Sequence, residues 1–346
     1  FSYSQEFTNA TGERLKREGF LCLLDLVPFG PDGVLPHERT LAKHRADRLR
    51  LRTTTSADLE PIFGMYEPAE SGRQSIASLR RTELVRVVDD EGVEHVIARI
   101  AEPDAESIVE ELVGRPVYIV DGHHRYTTAL EQAAAAGLSP GDPGASILIF
   151  LCPMTDPGLV IGPTHRVIRN AEDALLGDAL RQRLAEWYDL EGYSTPEAGY
   201  AALNLTSREE RPLLMLETEK TTLGRIRTDR LDDLVATIDV DDALLKLDIT
   251  LLHDLVLERF LNISKSTQEA GTHVGYSRNF DDAVKAVRSD AQIAFATLPP
   301  LLSDVRAVAE AGLVMPQKST FFYPKLASGL VIAPFDDPSN DADSGA

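Results

Sequence analysis

The feature that most constrains how this chain folds is an apolar run at residues 117–120 that stops at Asp121-Gly122. A short apolar run is typical of a buried strand, and glycine allows a tight turn and a close approach of the backbone. A helical pattern follows, runs to about Ala136 and stops at Gly137. Because the amides at the start of a helix bind phosphate, the pattern predicts a strand–turn–helix element with a phosphate site in its turn.

Three roles are open to the side chains of this turn. Arg125 can make a bidentate contact with phosphate, and a histidine can donate to a phosphate oxygen. A metal site is the second role, built on Asp121, His123 and His124, although adjacent histidines on a helix point apart and rarely ligate one ion. The third role is a structural turn in which Arg125 forms a salt bridge. Phosphate binding is favoured, at Asp121, Gly122, His123, His124 and Arg125.

Strand and helix patterns alternate through the first half of the chain. Strands are predicted at residues 3–7, 19–27, 61–66, 83–88, 94–100 and 146–152, and helices at residues 41–52 and 103–112. Alternation of this kind predicts an α/β or α+β fold.

The sequence pattern changes after Asn170. Helices are predicted at residues 171–188, 241–260, 283–287 and 301–312, and strands at residues 213–217 and 292–296. A length of 346 residues favours two domains. We therefore expect residues 1–170 to hold the phosphate turn and residues 171–335 to form a second α/β subdomain. Residues 336–346 are acidic and rich in small side chains, and we expect this tail to be disordered.

Composition and charge narrow the class of protein. The formal net charge of -20 repels nucleic-acid phosphates, so no nucleic-acid partner is expected, although a local basic patch would not be excluded. No apolar run approaches the length that spans a bilayer, and no membrane partner is expected.

Cys22 and Cys152 lie in apolar runs, as reduced core thiols of a cytoplasmic protein do. The chain opens on an alternating pattern at residues 1–7, so we expect a further N-terminal segment.

Glu38 is the candidate general base, because it follows a Pro/Gly-rich loop at residues 28–36 within His37-Glu38-Arg39-Thr40. The alternative is an acidic residue that stabilises a helix N-terminus. Basic residues follow and could attract an anion or form a solvated helix face: Lys43, His44, Arg45, Arg48, Arg50 and Arg52.

Two further groups are suited to anions. Thr164-His165-Arg166 follows a Gly-Pro turn, and Lys318-Ser319-Thr320 supplies an ammonium and two hydroxyls without the glycine-rich loop of a Walker motif. The aromatic residues at 321–323 are either core or one wall of the site. We expect the segments around Glu38, the turn and Arg166 to converge on one cleft.

At these residues the chain resembles the domain of unknown function 1015 family. The resemblance extends from residue 1 to about 335. It is carried by the segments at residues 37–40 and 47–48, 61–66, 121–126, 163–166 and 315–325. Members of that family usually begin with a further segment that holds a Pro-Pro-Tyr-Asp-like stretch, which this chain lacks.

The turn at residues 121–125 also resembles the phosphate-binding turn of the ParB/sulfiredoxin superfamily, which includes partition CTPases, sulfiredoxins and free-serine kinases. The resemblance implies a mixed sheet around the strand–turn–helix core and a nucleotide (ATP, ADP or CTP) bound with Mg²⁺. Phosphates would lie at residues 122–125, and Glu38 could activate an acceptor hydroxyl. Sulfiredoxin chemistry needs a cysteine where this chain has His123, and the charge of -20 disfavours a DNA-partition role.

The expected function is a nucleotide-dependent phosphotransferase, similar to a serine kinase, or a nucleotide hydrolase, acting on a small-molecule substrate. Its catalytic residues would be Glu38, His123 and His124, with charge neutralised by Mg²⁺, Arg125 and Arg166. Two alternatives remain open: a non-catalytic nucleotide-binding regulator, and a metal-dependent hydrolase that uses the histidines.

Overall fold

The computed structural model describes residues 1–31, 33–38, 42–68, 76–238 and 240–335. The predicted acidic tail and two members of the predicted 37–40 segment, Arg39 and Thr40, lie outside these ranges. The strands are β1 Ser2–Thr8, β2 Arg14–Asp25, β3 Val34–Leu35, β4 Ala57–Asp58, β5 Ile62–Tyr66, β6 Arg81–Val88, β7 Glu94–Ile100, β8 Val117–Asp121, β9 Ser146–Pro153, β10 Val160–Gly162, β11 His165–Ile168, β12 Tyr188–Tyr193, β13 Leu213–Leu216, β14 Thr221–Ile226, β15 Val274–Ser277, β16 Ile293–Ala296, β17 Phe321–Tyr323 and β18 Ala333–Pro334.

The α-helices are α1 Ala42–Thr55, α2 Glu102–Leu112, α3 His123–Ala136, α4 Asp178–Ala185, α5 Pro196–Leu205, α6 Leu231–Thr237, α7 Asp242–Leu245, α8 Asp248–Leu251, α9 Lys265–Ala270, α10 Phe280–Ser289 and α11 Leu302–Glu310. A π-helix spans Leu252–Phe260. Among the described residues, no helix is both long enough and apolar enough to cross a membrane.

The chain divides into two compact units that are discontinuous in sequence. Unit 1 comprises Phe1–Val160, Gly312–Val314 and the residues from Phe322 onward, and unit 2 comprises Ile161–Ala311 and Met315–Phe321. The sequence pattern instead predicts consecutive regions with a boundary at residue 170. Compactness depends on contacts between distant residues, which a local pattern does not report.

Unit 1 is built on an eight-stranded sheet in the order β3-β8-β5-β9-β2-β1-β7-β6. The β3–β8 and β5–β9 pairs are parallel, whereas β5–β8 and β2–β9 are antiparallel. The expected α/β class and mixed sheet are therefore confirmed. The central strand β9 is apolar on both faces, since the residues from Ile147 to Cys152 are each at most 4% exposed. This burial explains its continuous apolar sequence.

Two hairpins form the far edge of this sheet, as predicted, and each is turned by a polar residue. Asn9 Oδ1 accepts from the amides of Thr11 and Glu13 between β1 and β2. Asp89 Oδ1 accepts from the amides of Glu91 and Val93 between β6 and β7. These side-chain acceptors replace backbone partners in the turns and so fix where each strand reverses.

Helix α3 covers the sheet of unit 1 next to β8. Tyr126 and Ala129 are fully buried and pack with Ile62, Ile119 and Ile149 in the core. The Tyr126 hydroxyl also donates to the carbonyl of Val27. The helix ends at Gly137, whose φ of 67° is left-handed, as the sequence predicts.

Unit 2 is built on a six-stranded sheet in the order β12-β14-β13-β16-β11-β15, and its strand pairs are antiparallel. Helix α10 has one apolar face, and its Phe280, Ala283, Val284 and Val287 are buried against this sheet.

The predicted helix at residues 171–188 is wrong. A 3₁₀ turn at Asp173–Leu175 precedes Gly177, whose φ of 59° stops any continuous helix, and α4 ends before Tyr188 begins β12. The predicted helix at residues 241–260 is interrupted as well. Leu247 is extended between α7 and α8, and the remainder is a π-helix. In both stretches tertiary packing overrides a helical apolar spacing.

Candidate functional site

The turn between β8 and α3 has the geometry that the sequence predicts. Gly122 adopts φ 95° and ψ 21°, directly after β8 and directly before α3, and no side chain among the described residues caps the helix. The first amide that donates to a carbonyl of this helix is that of Tyr126, to Gly122 at 3.0 Å. The amides at residues 123–125 therefore face out of the helix end, where the helix dipole favours an anion.

Glycine is required at position 122 for two reasons. Its φ lies in the left-handed region, which other residues rarely adopt. A Cβ built on its backbone would also lie 2.7 Å from Ile62 Cγ2 and 3.1 Å from a terminal nitrogen of Arg125. The turn therefore packs directly on β5.

Asp121 lies between two cations at the mouth of this turn. Lys325 Nζ is 3.3 Å from Asp121 Oδ2, and a guanidinium nitrogen of Arg125 is 3.9 Å from the same oxygen. Burial raises the pKa of Asp121, but Lys325 and Arg125, with hydrogen bonds from Lys325 and from the amide of Gly122, together hold it below its ordinary value. The carboxylate is therefore ionised at neutral pH. Lys325 was not among the predicted site residues, because nothing local in the sequence indicates its partner.

Arg125 is held by the two residues that precede β5 as well as by Asp121. Its guanidinium donates to the carbonyl of Pro61 at 2.8 Å and lies 3.5 Å from a carboxylate oxygen of Glu60. The side chain keeps 21% of its surface exposed. The salt-bridged arginine considered from the sequence is thus present, and part of its side chain remains exposed to solvent.

The loop before α1 meets the start of α3 through two histidines. The amide of His37 donates to Nε2 of His123 at 3.3 Å, and the two rings are 4.7 Å apart in an edge-to-face arrangement. His37 Nδ1 lies 2.8 Å from the carbonyl of Ile119, so this nitrogen carries the proton. Since His123 Nε2 accepts a hydrogen bond, its proton is assigned to Nδ1.

Burial lowers the pKa of His37, and this effect outweighs the opposing effects of Glu38, of the Ile119 carbonyl and of Asp121. His37 is therefore neutral at pH 7. Both carboxylates influence His37, so Glu38 and Asp121 belong to one neighbourhood of unit 1. Glu38 itself is half-buried. Its role as a general base, and those of His123 and of the half-buried His124 as catalytic residues, remain predictions.

In unit 2, Arg166 joins two of the predicted anion-binding groups. It is 1% exposed and donates to the carbonyls of Thr164, Gln317 and Lys318 and to Nε2 of His253. Residues 164–166 and 317–318 are thus brought together, with Ser319 buried beside them. The guanidinium serves main-chain oxygens, which is a structural role. Phosphate contacts by Thr164, His165, Arg166, Lys318, Ser319 and Thr320, and a common cleft with Glu38, remain predictions.

Within the described parts of the chain, no group of three or more His, Cys, Asp or Glu side chains is arranged to hold a metal ion. Mg²⁺ needs less than such a group when phosphates are present, since one or two carboxylates and retained waters complete its shell. The ionised carboxylate of Asp121, 44% exposed at the helix end, fits that requirement.

The fold and the turn define an α/β protein whose mixed sheet presents a glycine-initiated helix end beside a carboxylate and two cations. The chain belongs to the family described as protein of unknown function (DUF1015), whose model matches residues 1–249. This finding confirms the family resemblance inferred from the sequence. The comparison with curated proteins finds no match.

Solved structures include distant matches over most of the chain. A free serine kinase in complex with AMP is 14% identical with a TM-score of 0.44, covering 86% of this chain and 87% of its own. A conserved hypothetical protein from Pyrococcus furiosus is 13% identical with a TM-score of 0.45, covering 92% and 95%. SbnI with a C-terminal truncation, from Staphylococcus aureus, is 14% identical with a TM-score of 0.42, covering 93% and 92%.

Replacement of Gly122 should destabilise the fold more than replacement of the glycine at the other end of the same helix. Gly137 also has a left-handed φ, but a Cβ there would meet nothing within 4 Å. Both Gly→Ala changes cost about 1–2 kcal/mol for the conformation, and Gly122→Ala adds the clash with Ile62. Urea unfolding of the two variants measures the difference. Equal losses would show that the close approach of the turn to β5 is not needed.

Acid should weaken the protein through its buried histidines. Burial lowers the pKa of His37, that of His165 to about 4 and that of His253 to about 3, with Arg166 lowering the last two further. The unfolded chain binds protons near pH 6.5 and the folded chain does not. The contribution of these neutral histidines to stability is therefore fully present above pH 6.5. It is lost as the pH drops toward their pKa values in the folded state.

The variant His253→Gln tests this sign. Between pH 6 and pH 5, the free energy of unfolding should fall more steeply with acid in wild type than in the variant. The two slopes should differ by up to about 1.4 kcal/mol per pH unit, which is the slope for one proton. Urea unfolding at a series of pH values gives both slopes. An unchanged slope would mean that His253 takes up its proton without unfolding.

Proposed function

We propose that this chain binds a nucleoside di- or triphosphate at the α3 end of unit 1. We further propose that it transfers the terminal phosphoryl group to a small hydroxyl-bearing metabolite or to water, as a cytoplasmic enzyme. One observation carries the proposal: Lys325 and Arg125 converge on Asp121 at the outward-facing amides of a helix that starts at glycine. In a protein of net charge -20, two cations and a helix end form a local anion site.

The residues of the turn divide the work of binding. The backbone at residues 122–125 can surround phosphate oxygens, and the exposed part of Arg125 can add a charge-assisted hydrogen bond. Lys325 can exchange part of its contact with Asp121 for a contact with a phosphate oxygen, because its ammonium lies at the mouth of the turn where the phosphate would bind. The resemblance of residues 121–125 to the phosphate-binding turn of the ParB/sulfiredoxin superfamily points to the same ligand.

Asp121 is the residue that would hold Mg²⁺. When bound, the ion neutralises charge that develops on the phosphate oxygens. The carboxylate would otherwise repel a phosphate, so its pairing with Lys325 and Arg125 keeps the mouth of the turn near neutral or positive. Asp121 also attracts the Arg125 guanidinium, which lies 3.9 Å from its carboxylate.

Glu38 is the proposed general base. An acceptor hydroxyl would give its proton to the Glu38 carboxylate while its oxygen bonds to the terminal phosphorus. The bond from that phosphorus to the bridging oxygen breaks, and the shorter nucleotide leaves with the electron pair. His37 and His123 hold the loop against α3 and thereby position Glu38. A regulator that binds nucleotide without turnover is the second candidate, and the turnover assay separates the two.

Arg125→Ala should weaken nucleotide binding by about 1.5–3 kcal/mol, the range for hydrogen bonds to a charged group. The ligand-free protein should lose at most about 1.5–3 kcal/mol, because the guanidinium also donates a charge-assisted hydrogen bond to the Pro61 carbonyl. Calorimetry with ATP and Mg²⁺, together with urea unfolding, measures both quantities. Arg125→Lys is the matched control, since it keeps the charge but loses the bidentate fork. Unchanged affinity with a stability loss of roughly 3–5 kcal/mol, the cost of breaking a buried pair, would make Arg125 purely structural.

Glu38→Gln should lower turnover by about 10²–10⁴-fold, the usual contribution of a general base, with little change in ATP affinity. The assay follows ADP formation from ATP and Mg²⁺, with and without L-serine as the acceptor hydroxyl. Glu13→Gln, in the turn between β1 and β2, should behave as wild type. Full activity in Glu38→Gln would remove Glu38 from the mechanism, and binding without turnover in wild type would favour the regulator.

A further inference from the structure

A cavity of about 260 Å³ lies in unit 1 beside the proposed phosphate turn. Helix α1 contributes Leu51, the segment after α1 contributes Leu59, and strand β9 contributes Ile147. Helix α3 contributes Arg125 and Thr128. The lining is largely apolar, and the volume is just below the range of whole ligand pockets, so the cavity suits one part of a small ligand.

Arg125 belongs both to the lining of the cavity and to the proposed phosphate turn. This side chain lines the cavity and also lies 3.9 Å from Asp121. Thr128 follows one turn later on the same face of α3, since residues three apart are neighbours on a helix. A ligand with phosphates at Gly122–Arg125 would therefore extend its other end along α3 into the cavity.

Most of the polar groups around the cavity already have partners. Arg52 pairs with Asp58 at 2.9 Å, and Glu60 contacts Arg48 at 3.6 Å and the hydroxyl of Ser328 at 2.6 Å. Thr128 differs, because it is 2% exposed and its hydroxyl has no hydrogen-bond partner among the described residues. Rotation about its Cβ–Oγ1 bond can direct the hydroxyl hydrogen toward an occupant without breaking a hydrogen bond.

We propose that this cavity holds the nucleobase of the bound nucleotide, an inference that rests on the proposed function. A flat heteroaromatic ring buries its faces against Leu51, Leu59 and Ile147, and its polar edge can hydrogen-bond to Thr128. The guanidinium of Arg48, at the mouth, can stack on such a ring. A small polyhydroxyl or amino-acid acceptor fits less well, since apolar walls leave its polar groups without partners.

The test fills the mouth of the cavity without touching the core. Leu51 is 41% exposed, so Leu51→Trp can be accommodated by the fold while its ring covers the opening. Leu49 is 40% exposed on the same helix but does not line the cavity, which makes Leu49→Trp the matched control. Calorimetry compares ATP and CTP, which have a base, with inorganic tripolyphosphate, which has only the phosphates, all with Mg²⁺.

Leu51→Trp should weaken whichever nucleotide wild type binds by about tenfold or more, the effect of losing roughly 1.4 kcal/mol of base contacts. Tripolyphosphate affinity should stay within about twofold, and Leu49→Trp should match wild type with every probe. Nucleotide affinity unchanged in Leu51→Trp, or an equal loss for tripolyphosphate, would overturn the base site while leaving the proposed function standing. Wild type that binds neither nucleotide nor tripolyphosphate would overturn both.

Discussion

The left-handed turn at Gly122 is the constraint on which the rest of unit 1 depends. It lets the chain leave β8 and begin α3 within one residue, with no room for a Cβ between the turn and Ile62. Helix α3 can then lie flat on the sheet, with Tyr126 and Ala129 in the core. The same turn places the start of α3 directly after the end of β8. One backbone geometry thus accounts for the packing of the helix and for the position of the proposed anion site.

Buried arginines hold the segment that returns from unit 2 to unit 1. Each unit contains one of these arginines. Arg166 donates to the carbonyls of Gln317 and Lys318 in unit 2. Arg17, in unit 1, donates to the carbonyls of Tyr323 and Pro324. A guanidinium has five donors in a fixed fork, so one side chain can satisfy several main-chain oxygens that would otherwise be buried without partners.

Arg17 also accounts for the position of Lys325 beside Asp121. It is fully buried, lies 4.7 Å above the ring of Phe63, and hydrogen-bonds to Gln5, which in turn donates to the carbonyl of Lys325 at 2.8 Å. Burial lowers the pKa of Arg17 to about 10, so the residue stays charged at neutral pH. This polar network fixes the backbone at Lys325 and so brings its ammonium to Asp121.

The sequence by itself determined the strand–turn–helix element, the two hairpins and the α/β class, because these follow from local apolar spacing and from glycine and side-chain turn chemistry. It also indicated the anion-suited residues at Asp121–Arg125. Tertiary structure alone decided that Lys325 meets Asp121, that Arg166 is buried among carbonyls, and that the helices predicted at residues 171–188 and 241–260 are broken. Those outcomes depend on packing between residues far apart in the chain, and a local pattern carries no record of which distant groups will share a buried space.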